Sequence, residues 1–574
     1  MNKLPERPYA VGRNLTFSNQ PTAARAAFAA AAAALLLAGC SGSSGGNTVE
    51  DIPAFTLDKD TVECKAAPEA ACDQITVYAT PVHLERRDRT PLVYVRSVDG
   101  APGIPLGILS TSTQLPDGRW QLVLRLDPDR PAGVYVGAMH VDLEATAPEG
   151  KRYRGARLSY RLEVTAVTAS TTPLPAAVPG AAPWTEAPAG PTRSGYVPVS
   201  LDASKFSRRW MTWVLGGTDL STPATPALID GQILLPQARP FGSTAGPNAL
   251  ALSEQDGKPQ WSVTIAGERL TGVTASGDRA VWSSLQSPTQ SLYAAYLTNR
   301  SAGTVIGSRP LTDTNEPKFW LTAGDTLYLP DRNKGQITAL SLTDLQPRWT
   351  VTAEPSPGSL LPAHGLFGAT LADGVVYSHS GANFRAFRDS DGGQLYDVPA
   401  DGGQTLLLKL YESQTPVIAD ANTVLAMDRP RYVAPDAGVN SGIQALSRID
   451  GSVRWTVRQP FRGLPVTANG VLYAANQGNK SIEARSVADG SLLWSWPMDA
   501  GDGFWQQAMV LTDTHLFVST DRRTIAIDLA THQAVWRYSQ GGWLGMTQRG
   551  TLMVFAVNAG TVNSPAALTA FDLR

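Results

Sequence analysis

Cysteine is scarce: there are three in 574 residues, and none between residues 205 and 574. Most of the chain is therefore without a disulfide or a thiolate metal site. Charge is low too, with 17% charged residues, a formal net charge of −2, and no run of Lys or Arg interleaved with aromatics. A polyanion would find no electrostatic footprint here, and nucleic acid is not expected as a partner. The longest apolar stretch, Ala26 to Leu37, falls short of the roughly 20 residues that span a bilayer. The histidines, at 83, 140, 364, 379, 515 and 532, show neither HxH nor HExxH spacing, so no metal site is expected. Gly42 to Gly46 formally matches GxSxG, but that motif needs a rigid strand-to-helix elbow and here lies in a Ser/Gly tether. No catalytic residue and no cofactor follow from these residues.

What the chain has in quantity is glycine (52) and proline (42), a balance suited to many short strands joined by tight turns. The fold class expected is all-β, and the length calls for more than one core. Arg7, Arg13 and Arg25 precede the apolar stretch, which ends in Leu37-Ala38-Gly39-Cys40. The charged start and short apolar run read as a secretion signal over 1–39. Its ending resembles the bacterial lipobox, which implies that Cys40 is the acylated first residue and the membrane anchor. By the same resemblance, Ser41, not being Asp, implies the outer membrane, facing the periplasm. Removing Cys40 from the tally leaves Cys64 and Cys72 as an even pair in an oxidising compartment, read as a local disulfide.

Residues 40–51 read as a flexible tether. Beyond it, Trp120, Leu122, Leu124 and Leu126 alternate with Gln121, Val123 and Arg125. Leu158, Tyr160, Leu162 and Val164 alternate with Ser159, Arg161 and Glu163. Period two is the mark of strands with one buried face. The stretch from Leu126 to Val136 resembles a turn and strand of bacterial immunoglobulin-like domains, which implies a small Ig-like β-sandwich over 52–166. Residues 167–204 hold Pro173, Pro175, Pro179, Pro183, Pro188 and Pro191 and read as an extended linker, not a packed element.

Residues 205–574 carry an internal repeat. An Ala closing an apolar strand recurs at 251, 295, 339, 386, 445, 484, 526 and 570, at intervals of 44, 44, 47, 59, 39, 42 and 44 residues. These are lengths of a four-stranded propeller blade. Ten residues after the Ala stands Trp261, Trp349, Tyr396, Trp455, Trp494 or Trp536; the second unit lacks the aromatic. Asp-Gly turns at 256, 391, 450 and 489 lie between the two positions. The last unit ends before its aromatic, so Arg208–Leu215, with Trp210 and Trp213, is expected to pair beside the final strand and close an eight-bladed β-propeller. Trp213 is taken as its blade aromatic. The fifth unit carries an insertion with Tyr432, and Phe504 and Trp505 follow Gly501-Asp502-Gly503; these three aromatics are candidate contacts.

The repeat resembles the quinoprotein-type (PQQ-like) propeller, in which the Trp of each blade docks between neighbours. A cysteine-free propeller of this kind on a lipoprotein tether is similar to the BamB family of the outer-membrane β-barrel assembly machinery. The resemblance implies a non-catalytic protein-binding scaffold whose partner is a periplasmic or outer-membrane protein. The alternative it implies is a pyrroloquinoline quinone dehydrogenase, whose cofactor clamp uses adjacent cysteines that residues 205–574 lack.

Overall fold

The computed structural model describes residues 50–574, apart from 67–74, 83–91, 100–106, 127–131, 145–150, 166–168, 186–189, 216–225, 238–246, 268, 288–291, 312–319, 332–335, 353–366, 380–382, 400–410, 414, 431–441, 501, 507–508 and 557–564. The signal, Cys40, Cys72 and Tyr432 lie outside these residues. Cys64, on the strand Thr61–Ala66, is disulfide-bonded.

Two four-stranded sheets form the first body. One holds Phe55–Leu57, Ile75–Pro81, Trp120–Leu126 and Gly107–Gln114 in that order, and the other Thr61–Ala66, Ala156–Val164, Gly133–Glu144 and Leu92–Asp99. The alternation read from sequence is the burial pattern: Trp120, Leu122 and Leu124 from one sheet share a core with Leu158, Tyr160, Leu162 and Val164 from the other. Thr61–Ala66 pairs parallel to Ala156–Val164, although every other pairing to that strand is antiparallel.

Residues 207–573 make eight four-stranded sheets in chain order. The fifth has its inner strand split into Tyr411–Ser413 and Val417–Ile418. Each sheet shares an apolar cluster with the next, and one cluster joins the seventh, eighth and first, so the ring is complete. Closure is by Ser207–Leu215, antiparallel to Pro565–Asp572, which removes two exposed strand edges.

The expected Ala–aromatic pairing is a cross-strand pair. Ala251 faces Trp261, and the same holds for Ala339 and Trp349, Ala386 and Tyr396, Ala445 and Trp455, Ala484 and Trp494, and Ala526 and Trp536. Two positions are corrected. In the closing blade Ala570 faces Trp210, while Trp213 faces Ala567; Trp210, 1% exposed, is the blade aromatic. In the second blade the position equivalent to Ala251 is Leu297, not Ala295, because Gly303 closes its turn as Gly257 closes the first. Opposite Leu297 stands Gly307, which is why no aromatic follows.

Four of the blade tryptophans reach the next blade in one way. The indole Nε1 of Trp210, Trp261, Trp349 and Trp455 donates to the carbonyl of Glu254, Arg300, Asp389 and Val487 respectively, at 2.6–2.8 Å. Their rings lie against turn residues with positive φ, Gly257, Gly303, Gly392 and Gly490 respectively, and the Tyr396 ring lies against Gly451 in the same way. A Cβ built on Gly303 would sit 2.5 Å from the Trp261 ring, so both backbone conformation and space demand glycine. Where the preceding blade offers Gly307 instead of an aromatic, the turn residue is Leu345, at φ 59 and 1% exposed. His532, also at positive φ, meets Trp494 as a stacked ring at 4.3 Å. Gly303→Ala is expected to lower stability by about 2–3 kcal/mol, through the strained φ and the clash together. Gly277→Ala, with nothing within 4 Å of its Cβ, should cost about 1 kcal/mol; chemical denaturation measures both.

The seam between the first and eighth blades holds a buried acid. Glu254 is 1% exposed, and its Oε1 accepts from Thr547 Oγ1 at 2.6 Å and Thr551 Oγ1 at 2.7 Å. Its Oε2 has no hydrogen-bond partner and lies 3.9 Å from Arg549 Nε. Burial raises its pKa against the opposing hydroxyls and arginines. A raised carboxyl contributes stability in full below the unfolded value and loses it as pH rises through the folded one. Gln keeps the accepting oxygen and cannot ionise. Glu254→Gln is therefore expected to match the parent melting temperature at acid pH and exceed it at neutral pH.

Candidate protein-binding surface

Antiparallel blades place two kinds of connection on opposite faces. The turns after the first and third strand of each blade are tight, as at Asp230-Gly231 and Asn469-Gly470. Asp256, Asp391, Asp450 and Asp489 belong to this face and accept the amide two residues on, at 2.8–3.3 Å. They are turn formers, as the sequence suggested. The connections after the second and fourth strands leave from the opposite ends of the strands, among them the stretch with Phe504 and Trp505 between Leu492–Pro497 and Val510–Leu511.

The short-turn face is closed by the protein's own chain, which corrects the reading of 167–204 as an unpacked linker. The segment is extended but seated along the inner rim, in blade order. Val178 N donates to Gln548 O in the eighth blade, and Trp184 pairs with Leu228 in the first. Inner-strand amides of the fourth to seventh blades then donate to it in turn: Leu371 to Pro191, Ile418 to Thr192, Thr467 to Ser194 and Leu511 to Gly195, at 2.8–3.0 Å. Trp184, Arg193 and Val197 are at most 1% exposed. Arg193 donates from Nε to Ala369 O and from Nη2 to Trp320 O. Inner strands otherwise present unpaired amides to the hub, and this segment satisfies one in each of the first and the fourth to seventh blades.

The described aromatics of the opposite face divide sharply. Trp505 is 1% exposed, packed at 6.3 Å from Trp496 within the core joining the sixth and seventh blades. It is a core residue and not a contact residue. Phe504 is 36% exposed, its ring under the Arg462 guanidinium at 4.5 Å. Asp521 fixes it by accepting from the amides of Gly503 and Phe504. Nearby, Asp502 is buried, takes a bond from Thr520 Oγ1 and faces Arg523 at 3.0 Å; burial raises its pKa.

Among the described residues no three His, Cys, Asp or Glu converge on a metal site. A cleft of about 120 Å³ at the ring seam is lined by Arg209, Arg549 and Arg574, but these are engaged by Asp572, Pro175 O and Ala176 O.

Residues 439–573 match the family model described as outer membrane protein assembly factor BamB. Tetrathionate hydrolase of Acidithiobacillus ferrooxidans is 22% identical over 418 residues, covering 64% of this chain and 82% of that one. Among solved structures, a europium-containing methanol dehydrogenase is similar at TM-score 0.50 and 10% identity, over 68% of this chain and 98% of that one. BamB from Moraxella catarrhalis is similar at TM-score 0.46 and 14% identity, over 64% and 99%. The blade geometry makes residues 207–573 an eight-bladed β-propeller, and the family match gives residues 439–573 repeats of the PQQ-like kind.

Proposed function

We propose that this protein is an exported lipoprotein, anchored through Cys40, whose propeller acts as a non-catalytic protein-binding scaffold in outer-membrane protein assembly, with the first body an Ig-like sandwich. The observation that supports this most is the inequality of the two faces. One is tight turns lined by the chain itself; the other presents Phe504, held by Asp521 and Arg462, on a rigid frame, the arrangement a scaffold uses for contacts. The match of 439–573 to the BamB model supports the choice of process. Crosslinking in membranes followed by affinity capture is expected to recover the barrel-inserting subunit; its absence from the captured material would remove the assembly role. Cys40→Ala should move the protein from the membrane fraction to the soluble one.

The likeness to tetrathionate hydrolase favours an enzyme as the second reading. Incubating the purified protein with tetrathionate, and separately with pyrroloquinoline quinone, calcium and an alcohol plus dye, tests it. Turnover in either assay would displace the scaffold reading.

A further inference from the structure

The inner rim treats residues 190–201 as an extended-peptide site treats its ligand. From Arg193 to Leu201 the chain alternates strictly: Arg193, Gly195, Val197, Val199 and Leu201 are buried, while Ser194, Tyr196, Pro198 and Ser200 are half-buried or exposed. Gly190–Arg193 is a turn, with Arg193 at φ 54 and its amide bonded to the Gly190 carbonyl, and beyond Gly195, at φ 66, Val197–Leu201 has the period of an extended segment with one face inward. The main chain is read by amides from four successive blades, and by mutual bonds of Val197 and Gly195 with Leu511. Asp513 N donates to Val199 O, and Leu201 N donates to Thr514 Oγ1 at 2.8 Å. On the outward side the Tyr196 hydroxyl bonds the Asp513 carboxylate, and burial with that neighbour pushes the phenol up to about 12. Main-chain bonds supply affinity in such sites and alternate side chains supply specificity. Here the specificity elements are one cation held by two carbonyls, a glycine, and three aliphatic residues.

We propose that the inner rim of the propeller is a peptide-recognition site, loaded in cis by residues 190–201, whose ligand class is a turn that ends in Arg, followed by Gly and an extended segment with three aliphatics at alternate positions. This rests on the scaffold reading and names a class of segment that the scaffold can hold. A partner segment of that chemistry enters the rim only when the resident one leaves. The resident segment ends at Leu201, nine residues before the closing strand's Trp210, and the turn Asp202–Lys205 follows it, so it can be freed without cutting the ring.

The test uses the full chain with protease sites inserted at residues 166–168 and between Ser204 and Lys205. After native cleavage, the excised peptide is expected to co-elute with the propeller and to be exchanged by a fluorescent synthetic peptide of residues 176–204, read by anisotropy. An Arg193→Ala peptide should compete about tenfold more weakly, for the loss of its two charged hydrogen bonds, and a Val197→Asp, Val199→Asp peptide should not compete. A resident peptide that leaves only when the circular dichroism of the propeller is lost would overturn the proposal, as would equal competition by the variants. If the doubly cut protein does not stay folded, hydrogen exchange on uncut Arg193→Ala decides. Amides of Leu371, Ile418, Thr467 and Leu511 should then exchange faster than those of the outer strands, and exchange only through global unfolding would refute the site. Capture of the barrel-inserting subunit is independent of this exchange, so either result can fail while the other stands.

Discussion

Deleting residues 207–215 is expected to lower the melting temperature of the propeller by on the order of 10 °C or more and to broaden the transition. The strand completes the eighth sheet over its whole length against Pro565–Asp572, so its loss exposes an unpaired edge at the end of the chain. It also withdraws the Trp210 indole from Gly257 and from the Glu254 carbonyl. Arg209, 1% exposed, leaves with it, and Asp572 loses a partner at 2.6 Å in a site only partly open to water. Trp210→Ala alone should cost about 3–5 kcal/mol, as large aromatic truncations in packed interiors do. An unchanged scanning-calorimetry profile for either variant would mean that the ring does not depend on this closure. Trp213→Ala is the matched comparison, since Trp213 faces Ala567 and not the repeat's Ala.

Trp505→Ala and Phe504→Ala, adjacent in sequence, are expected to part company. Trp505 lies in the same core as Trp496, Leu511 and Val518, and its truncation should cost about 3–5 kcal/mol. Phe504 is exposed on one face, so its truncation should change stability by about 1 kcal/mol or less, apart from the Arg462 contact. A scaffold partner that docks there should lose affinity for Phe504→Ala at unchanged fold. Equal stability losses in urea titrations would place both residues in the core, and would leave the open face without its one described aromatic contact.

Much of this was legible in the residues because repetition averages out local ambiguity. One Ala–Trp spacing means little, but five of them and one Ala–Tyr in register determine a cross-strand pair and hence a blade. The same evidence could not choose between Trp210 and Trp213, because both lie on a strand whose register is set by a partner more than 350 residues away. Nor could it see that Gly307 stands in the aromatic position, since Ala295 mimics the motif two residues from Leu297. The rim segment was missed for a different reason. Proline-rich composition dictates an extended backbone, and an extended backbone looks alike whether it is solvated or seated. The signals that distinguish the two were present: a lone Trp184 in a run of Pro and Ala, and apolar residues at Val197, Val199 and Leu201. Trp505 was ambiguous because a Gly-rich approach can precede either a surface loop or a return to the core.

The order of the chain has a consequence for assembly. The segment that lines the hub and the strand that closes the ring are both made before any complete blade, whereas the strand they await is made last. Eight sheets must therefore gather round an axle already laid down. The step joining Ser207–Leu215 to Pro565–Asp572 has about the longest loop to close that the molecule can offer, and such pairings are the slow ones. Until Pro565–Asp572 arrives, the gathering sheets are an open fan with its latch waiting at the far end.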